Sequence, residues 1–337
     1  MIQKLKLILP LILGLFYSCA TSIEKPDSYE KISNWHRYQH FLPEDLRYRK
    51  YNLPTEEFVE LMGYQVHVDR FPKKLTNCKV ILIHGGGGNG RILGTFAVGM
   101  EKLGCEWLAP DLPGFGLTKI PSEKHYVPYE DWVLVLDELI KKERRPNQKL
   151  ILFGLSIGGM LAYHTAAYHG KVDGLIATTL VDPRIPEVRD AIASNRFLSR
   201  VGMPLNSLFS FVTDGMYFPI KWFSKMEYIT NDPSFSEVFA SDPYAGGSKV
   251  SLGFLTTFLN YNPKLEPESF QVCPVLLAHP GIDPWTPSIL SQQFFHRINA
   301  PKQFVELKGA GHFPYEEPGI SLLQESVSKF IMDLNPK

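Results

Sequence analysis

The sequence has no internal repeat and no low-complexity tract, which excludes a solenoid and a disordered chain. It has no net charge, since 35 Lys and Arg residues balance 35 Asp and Glu. No basic field marks a nucleic-acid surface, and no acidic tail is present. It has only 4 cysteines, none in a CxxC pair, and no His/Cys cluster with the spacing of a zinc site. Cys78, Cys105 and Cys273 each lie at or near the start of an apolar run, which reads as free thiols in a core. A Cys78–Cys105 bridge in an oxidising compartment is the alternative. Nor does any apolar stretch reach the roughly 20 residues that a membrane-crossing helix needs.

What is present is an ordinary globular composition, 44% hydrophobic over 337 residues. That length holds a core domain of roughly 200–250 residues with a substantial insertion. The start differs from the rest. Lys4 and Lys6 precede an apolar run at 7–17 broken only by Pro10 and Gly14, the layout of a signal sequence. Ser18-Cys19 follows and resembles the lipobox of bacterial lipoproteins, in which the cysteine becomes the lipidated N-terminus. Phe16 and Tyr17 are bulkier than usual there, and an uncleaved anchor or cleavage near Ala20 are the other readings. The expected organisation is a signal segment at 1–19, a tether (21–31) and extension within 20–55, and a core in two parts at 56–182 and 272–337. An exported, membrane-anchored or periplasmic protein is expected.

Residues 58–71 read as a hairpin turning at Met62-Gly63. Apolar runs at 79–83, 106–109, 150–153, 175–181, 275–278 and 303–307 then alternate with helical patterns at 129–142, 157–168 and 320–334. Strand–helix alternation with continuous apolar strands is the mark of a parallel sheet. Residues 183–271 break that rhythm. They hold short aromatic-rich helical stretches and no clear core strand, and read as an inserted helical lid.

Three motifs carry chemistry. Gly154-Leu155-Ser156-Ile157-Gly158 follows an apolar strand and opens a helix, the context of a G-x-S-x-G nucleophile elbow. Gly154 and Gly158 allow strand and helix to approach, and the Ile157 N–H faces the place where an oxyanion forms. His84-Gly85-Gly86-Gly87-Gly88 follows the 79–83 strand and offers backbone N–H groups, with Gly86 the expected donor and Gly87 its alternative. A phosphate loop is excluded because the run ends Gly90-Arg91-Ile92 rather than G-K-[ST]. His84 and Gly85 read as supporting residues. Gly311-His312-Phe313 follows the last strand, where an imidazole can reach back to the serine as general base. Asp283 is the expected orienting acid, and Asp182, also at a strand end, is its rival.

Together, His84-Gly85, Asp111-Leu-Pro-Gly-Phe-Gly116, Gly154 to Gly158, Asp283 and His312 resemble the α/β-hydrolase superfamily over residues 56–332. The resemblance implies an α/β-hydrolase fold, with a mostly parallel eight-stranded sheet flanked by helices and an inserted helical lid. It implies a Ser156-Asp283-His312 triad, an oxyanion hole of Gly86 and Ile157, no metal or organic cofactor, and an Asp111–Gly116 loop that supports the oxyanion loop. Ser156 sets aside the dehalogenases and epoxide hydrolases, which use Asp there, and dienelactone-type Cys nucleophiles. Gly87 and Ile157 stand where proline iminopeptidases carry Pro and Trp.

The expected activity is hydrolysis of a small-molecule carboxylic ester, esterase- or lipase-like, through an acyl-enzyme. Aminopeptidase, C–C hydrolase or perhydrolase chemistry shares the triad, and a non-catalytic ligand-binding relative is the remaining class. Phe209, Phe211, Phe218, Trp222, Phe223, Phe254 and Phe258 are expected to pack on the core or line an apolar acyl pocket. Glu227, Asp232, Glu237 and Asp242 are the acids that an aminopeptidase lid needs to bind a substrate amine.

Overall fold

The computed structural model describes residues 25–73 and 76–334, so Cys19 and the signal-like segment lie outside the described residues. Helix α1 (Asn34–Tyr38) precedes a hairpin of β1 (Thr55–Leu61) and β2 (Tyr64–Phe71). Next come β3 (Cys78–Ile83), the short helices α2 (Gly90–Leu93) and α3 (Thr95–Gly99), and β4 (Glu106–Pro110). They are followed by α4 (Tyr129–Glu143), β5 (Lys149–Gly154), α5 (Ile157–His169) and β6 (Gly174–Ala177). The segment after β6 holds α6 (Pro186–Ile192), a π turn (Leu198–Gly202), α7 (Met203–Leu208), α8 (Ser210–Thr213) and β7 (Tyr217–Pro219). It continues through α9 (Pro233–Ser241), β8 (Lys249–Ser251) and α10 (Leu252–Leu259). The chain closes with β9 (Val275–Pro280), α11 (Ser288–Arg297), β10 (Lys302–Leu307) and α12 (Gly319–Asp333).

Eight strands form one sheet in the order β1-β2-β4-β3-β5-β6-β9-β10. The β1–β2 and β2–β4 pairs are antiparallel and every other pair is parallel. The hairpin turns at Met62 and Gly63, both at positive φ (54° and 79°), the backbone that a two-residue hairpin loop requires. Central strands β3 and β9 are buried along their whole length, which is why they read as unbroken apolar runs. Edge strand β10 exposes Lys302 and Glu306, charges that blunt an open edge.

Several expectations are corrected. The run at 175–181 is a strand only to Ala177, where its pairing with both β5 and β9 ends; Thr178 N–H makes a last bond to the Gly154 carbonyl (3.0 Å), and Leu180 N–H donates to Ser291 Oγ (3.0 Å). The segment 183–271 is not wholly helical, since β7 and β8 pair in a small antiparallel sheet. The stretch 25–31 is no free tether. The Glu56 carboxylate accepts from Ser28 Oγ and Tyr29 N–H (both 2.9 Å), and the buried Tyr29 hydroxyl donates to Asp111 (2.9 Å). Cys78 and Cys105 are not free thiols. They form a disulfide across the N-terminal ends of β3 and β4, whose parallel register brings their Cα atoms to 4.9 Å. Cys273 is free and buried, and burial pushes its thiol up to about 12.

Candidate active site

Ser156 stands between the end of β5 and the start of α5 with φ 58° and ψ −131°, a backbone conformation costly for a non-glycine residue. The surroundings hold it there. Its N–H donates to Thr178 Oγ1 (3.1 Å). A Cβ on Gly154 would stand 2.0 Å from the Gly158 carbonyl oxygen, and one on Gly158 would stand 2.2 Å from that of Ile83. Only glycine permits the strand and helix to close this tightly, and the closure lifts the Ser156 hydroxyl above the sheet.

His312 lies on the loop after β10. Its Nε2 is 2.7 Å from Ser156 Oγ, and its Nδ1 is 2.8 Å from Asp283 Oδ2. Its ring lies against that of Trp285, with centroids 4.6 Å apart. Asp283, on the loop after β9, is buried and well bonded. Its Oδ1 accepts from the Trp285 and Thr286 N–H groups (2.9 and 3.0 Å), and its Oδ2 accepts from Thr286 Oγ1 (2.6 Å). Burial disfavours the charge on Asp283, but His312 and these donors outweigh it and hold the carboxyl down at about 2. The rival Asp182 is engaged elsewhere, in a fork with Arg184 that extends to Glu266.

The glycine loop after β3 packs beside Ser156. A Cβ on Gly85 would stand 2.8 Å from Ser156 Cβ. Gly86 faces Ile157 and Ile220, whereas Gly87, at φ 75°, faces Met226 and Gly246 of the inserted segment. Among the described residues, the Gly86 N–H has no hydrogen-bond partner. The Ile157 N–H opens α5 and so has no partner within the helix. These two donors flank the serine.

His84 does not reach the serine. Its Nδ1 is 2.7 Å from the Gly85 carbonyl and its Nε2 accepts from Leu112 N–H (2.9 Å). The Nδ1–H tautomer satisfies both contacts, and burial lowers the pKa, keeping the ring neutral. His84 thus ties the glycine loop to the loop after β4. Asp111 secures that second loop by accepting from the N–H groups of Gly90 and Leu117 (2.6 and 2.7 Å). Thr178, Trp285 and Thr286 are supporting residues that sequence reasoning missed. For the last two, the run Asp283-Pro-Trp-Thr286 was the available signal, because a carboxylate often accepts from N–H groups two or three residues on.

One trio of possible metal ligands, Glu56, His67 and Asp69, lies together. The place of a cation there is taken by Arg91, whose guanidinium forks onto Asp69 (2.6 and 2.9 Å) and reaches Glu56 (3.1 Å). Of the four insert acids, Asp232 caps α9 through Ser234 N–H, and Asp242 accepts from Tyr38 Oη and Asn34 Nδ2. Glu227 and Glu237 are exposed. The expected pocket aromatics divide. Phe254 and Phe258 are buried beside Trp132 and Tyr129, Phe218 and Phe223 are half-buried, and Phe209, Phe211 and Trp222 are exposed.

The strand–turn–helix serine, the imidazole above it and the glycine loop beside it can be compared with known proteins. A sequence comparison with curated proteins finds no match. Among solved structures, the chain is similar to a soluble variant of the monoglyceride lipase from Saccharomyces cerevisiae bound to a substrate analogue. That match has TM-score 0.69 at 17% identity and covers 87% of this chain and 99% of the other. The monoacylglycerol lipase of Paleococcus ferrophilus gives TM-score 0.62 at 19% identity, covering 80% and 99%. A thermostable carboxyl esterase from Bacillus coagulans, bound to glycerol, gives 0.57 at 16%, covering 83% and 98%. At these identities the likeness is one of fold. The model of the alpha/beta hydrolase family matches residues 80–320, and the chain belongs to that family.

Proposed function

We propose that the protein is a serine hydrolase of carboxylic esters with an apolar acyl group. The observation that carries this reading is the unbroken chain Ser156 Oγ–His312 Nε2 (2.7 Å) and His312 Nδ1–Asp283 Oδ2 (2.8 Å). Ser156 attacks the ester carbonyl while His312 Nε2 takes the hydroxyl proton. Asp283, ionised throughout the working pH range, holds Nδ1–H and stabilises the imidazolium. The N–H groups of Gly86 and Ile157 donate to the tetrahedral oxyanion. His312 then protonates the leaving alkoxide, and the ester C–O bond breaks to leave an acyl-Ser156. Water, deprotonated by His312, attacks the acyl carbon and releases the acid. The monoglyceride lipase, monoacylglycerol lipase and carboxyl esterase among the structural neighbours support an ester as the bond cleaved. We read the segment 183–271, whose Ile220 and Met226 pack on the glycine loop, as a lid.

The Cys78–Cys105 bridge supports an oxidising compartment, in keeping with export directed by the Lys4-to-Cys19 segment and lipidation at Cys19. A fluorophosphonate probe with peptide mass spectrometry tests the catalytic reading. The expected result is a single adduct on Ser156, absent in Ser156→Ala, with hydrolysis of p-nitrophenyl esters favouring chains longer than acetyl. A folded sample with no adduct overturns it, and mass spectrometry of the mature N-terminus decides Cys19.

A further inference from the structure

The inserted segment wears an apolar stripe on the outside. From 196 to 213 the chain is almost continuously helical. Phe197, Val201, Leu205, Leu208 and Val212 recur at steps of four, four, three and four, the spacing of one helix face, and all five are exposed. Phe211, three residues past Leu208, is 84% exposed, and Trp222, whose carbonyl accepts from Ser194 Oγ just before the stripe begins, is 58% exposed. The opposite side of the same turns is the packed one: Ser199 and Met203 are buried, and Asn206 donates to Thr256 Oγ1. A surface helix of a globular domain normally turns its apolar stripe inward.

The rim of this stripe is basic. No acidic residue occurs between Asp190 and Asp214; at its start Arg200 forks onto Asp190 (2.7 Å) with the more exposed Arg196 at 3.9 Å from the same carboxylate, and Lys221 stands exposed at its end, which leaves a net positive rim. Its position repeats the same theme. The insert sits over the C-terminal ends of the parallel strands, where Ile220 packs on Gly86 beyond β3. Lys25, the first described residue, bonds the Phe115 and Thr118 carbonyls just beyond β4 and lines a surface depression with Tyr244 of the insert. The chain before it carries the apolar run 7–17. From Cys19 to Lys25, an extended chain spans at most about 20 Å. An anchor at Cys19 would therefore keep the Lys25 and Tyr244 side of the molecule within about 20 Å of a bilayer.

We infer that the Phe197–Val212 stripe, with Phe211 and Trp222, docks into the headgroup region of an anionic lipid bilayer and delivers Ser156 to an acyl ester resident in that bilayer. The choice of substrate rests on the ester-hydrolase reading; the docking does not. A second copy of the chain fits this surface less well, because a self-complementary contact brings Arg196 and Arg200 towards their own copies.

The test uses the full chain as Ser156→Ala on vesicles of phosphatidylcholine and phosphatidylglycerol, with tryptophan fluorescence read against acyl-brominated lipid. Trp35, Trp107, Trp132 and Trp285 are buried, so Trp222 is the lipid-facing reporter. The expected result is quenching by brominated lipid that disappears in Trp222→Phe. Equal quenching with and without Trp222 overturns the docking. So does protection of Trp222 from acrylamide that rises with protein concentration in the absence of lipid, which assigns the face to a second copy. In the active chain, Leu208→Ser/Phe211→Ser is expected to keep hydrolysis of soluble p-nitrophenyl butyrate and lose at least fivefold on an ester embedded in vesicles; equal rates on both overturn the delivery role. Trp222 quenching in a protein inactive on every ester would sink the ester reading and leave the docking standing.

Discussion

Ser156 and Gly85 stand within a side chain's width of each other, and each constrains the other. A methyl group on Gly85 meets Ser156 Cβ at 2.8 Å, so Gly85→Ala is expected to displace the Ser156 side chain. The expected loss in kcat is about 100-fold or more, the scale of a lost oxyanion donor, with little change in circular dichroism. Asp283→Asn is expected to leave the fold intact and lower kcat by about 10⁴-fold, because the amide no longer fixes the Nδ1–H tautomer. Asp283 is held at about 2, so it does not titrate in the working range. Asp283 is therefore expected to contribute no proton to the acid limb of kcat/KM, and a two-proton limb in a pH–rate profile counts against this assignment.

At the scale of elements, the N-terminal extension acts as a clasp. Tyr38 of α1 donates to Asp242 Oδ2 (2.8 Å) at the end of α9, and its ring packs on Phe235. Helix α9 in turn lies under the His312 loop, where Phe313 stacks on Phe235 and Phe313 N–H donates to the Ile229 carbonyl (2.7 Å). Tyr38→Phe leaves a buried carboxylate oxygen short of a donor, and a loss of about 1–3 kcal/mol is expected in urea unfolding. The sequence marked this region as an extension and gave no reason to place it against residues some 200 positions on. Trp222 is a similar case: its apolar character was legible, but its exposure depends on which face of the insert the core already occupies.

Over the whole molecule, two features set stability. The bridge joins Cys78 and Cys105 across a sequence separation of 27, and its removal is expected to lower stability by about 3–4 kcal/mol. Comparing denaturation midpoints with and without reductant checks this. The second feature is the buried charge cluster behind the glycine loop. Burial opposes the His67 imidazolium, yet Asp111 and Glu56 beside it raise it to about 10. Burial likewise opposes the carboxylates of Asp111 and Glu56, and His67 and neighbouring donors hold both at about 2. The His67 contribution is complete below the ordinary histidine pKa of about 6.5 and is lost as pH rises towards about 10. The carboxylate contributions are complete above about pH 4.5 and are lost as pH falls towards about 2. Burial lowers the pKa of His84, His164 and His279, so these rings cost stability as pH falls below about 6.5; maximal Tm is therefore expected at about pH 6.5, and a maximum above pH 8 in a thermal-melt series overturns this account.

The sequence by itself determined the fold class and the neighbourhood of the serine. Period-two and unbroken apolar runs report local burial, and Gly154-x-Ser156-x-Gly158 records a strand–helix closure that only glycine survives. Tertiary structure decided the rest, because it depends on contacts between distant segments. It distinguished Asp283 from Asp182, two strand-end carboxylates that look alike until one faces His312 and the other Arg184. It paired Cys78 with Cys105 through the register of β3 against β4. It also turned the stripe from Phe197 to Val212 outward, a choice that helical periodicity cannot make because it fixes which residues share a face and not what that face meets.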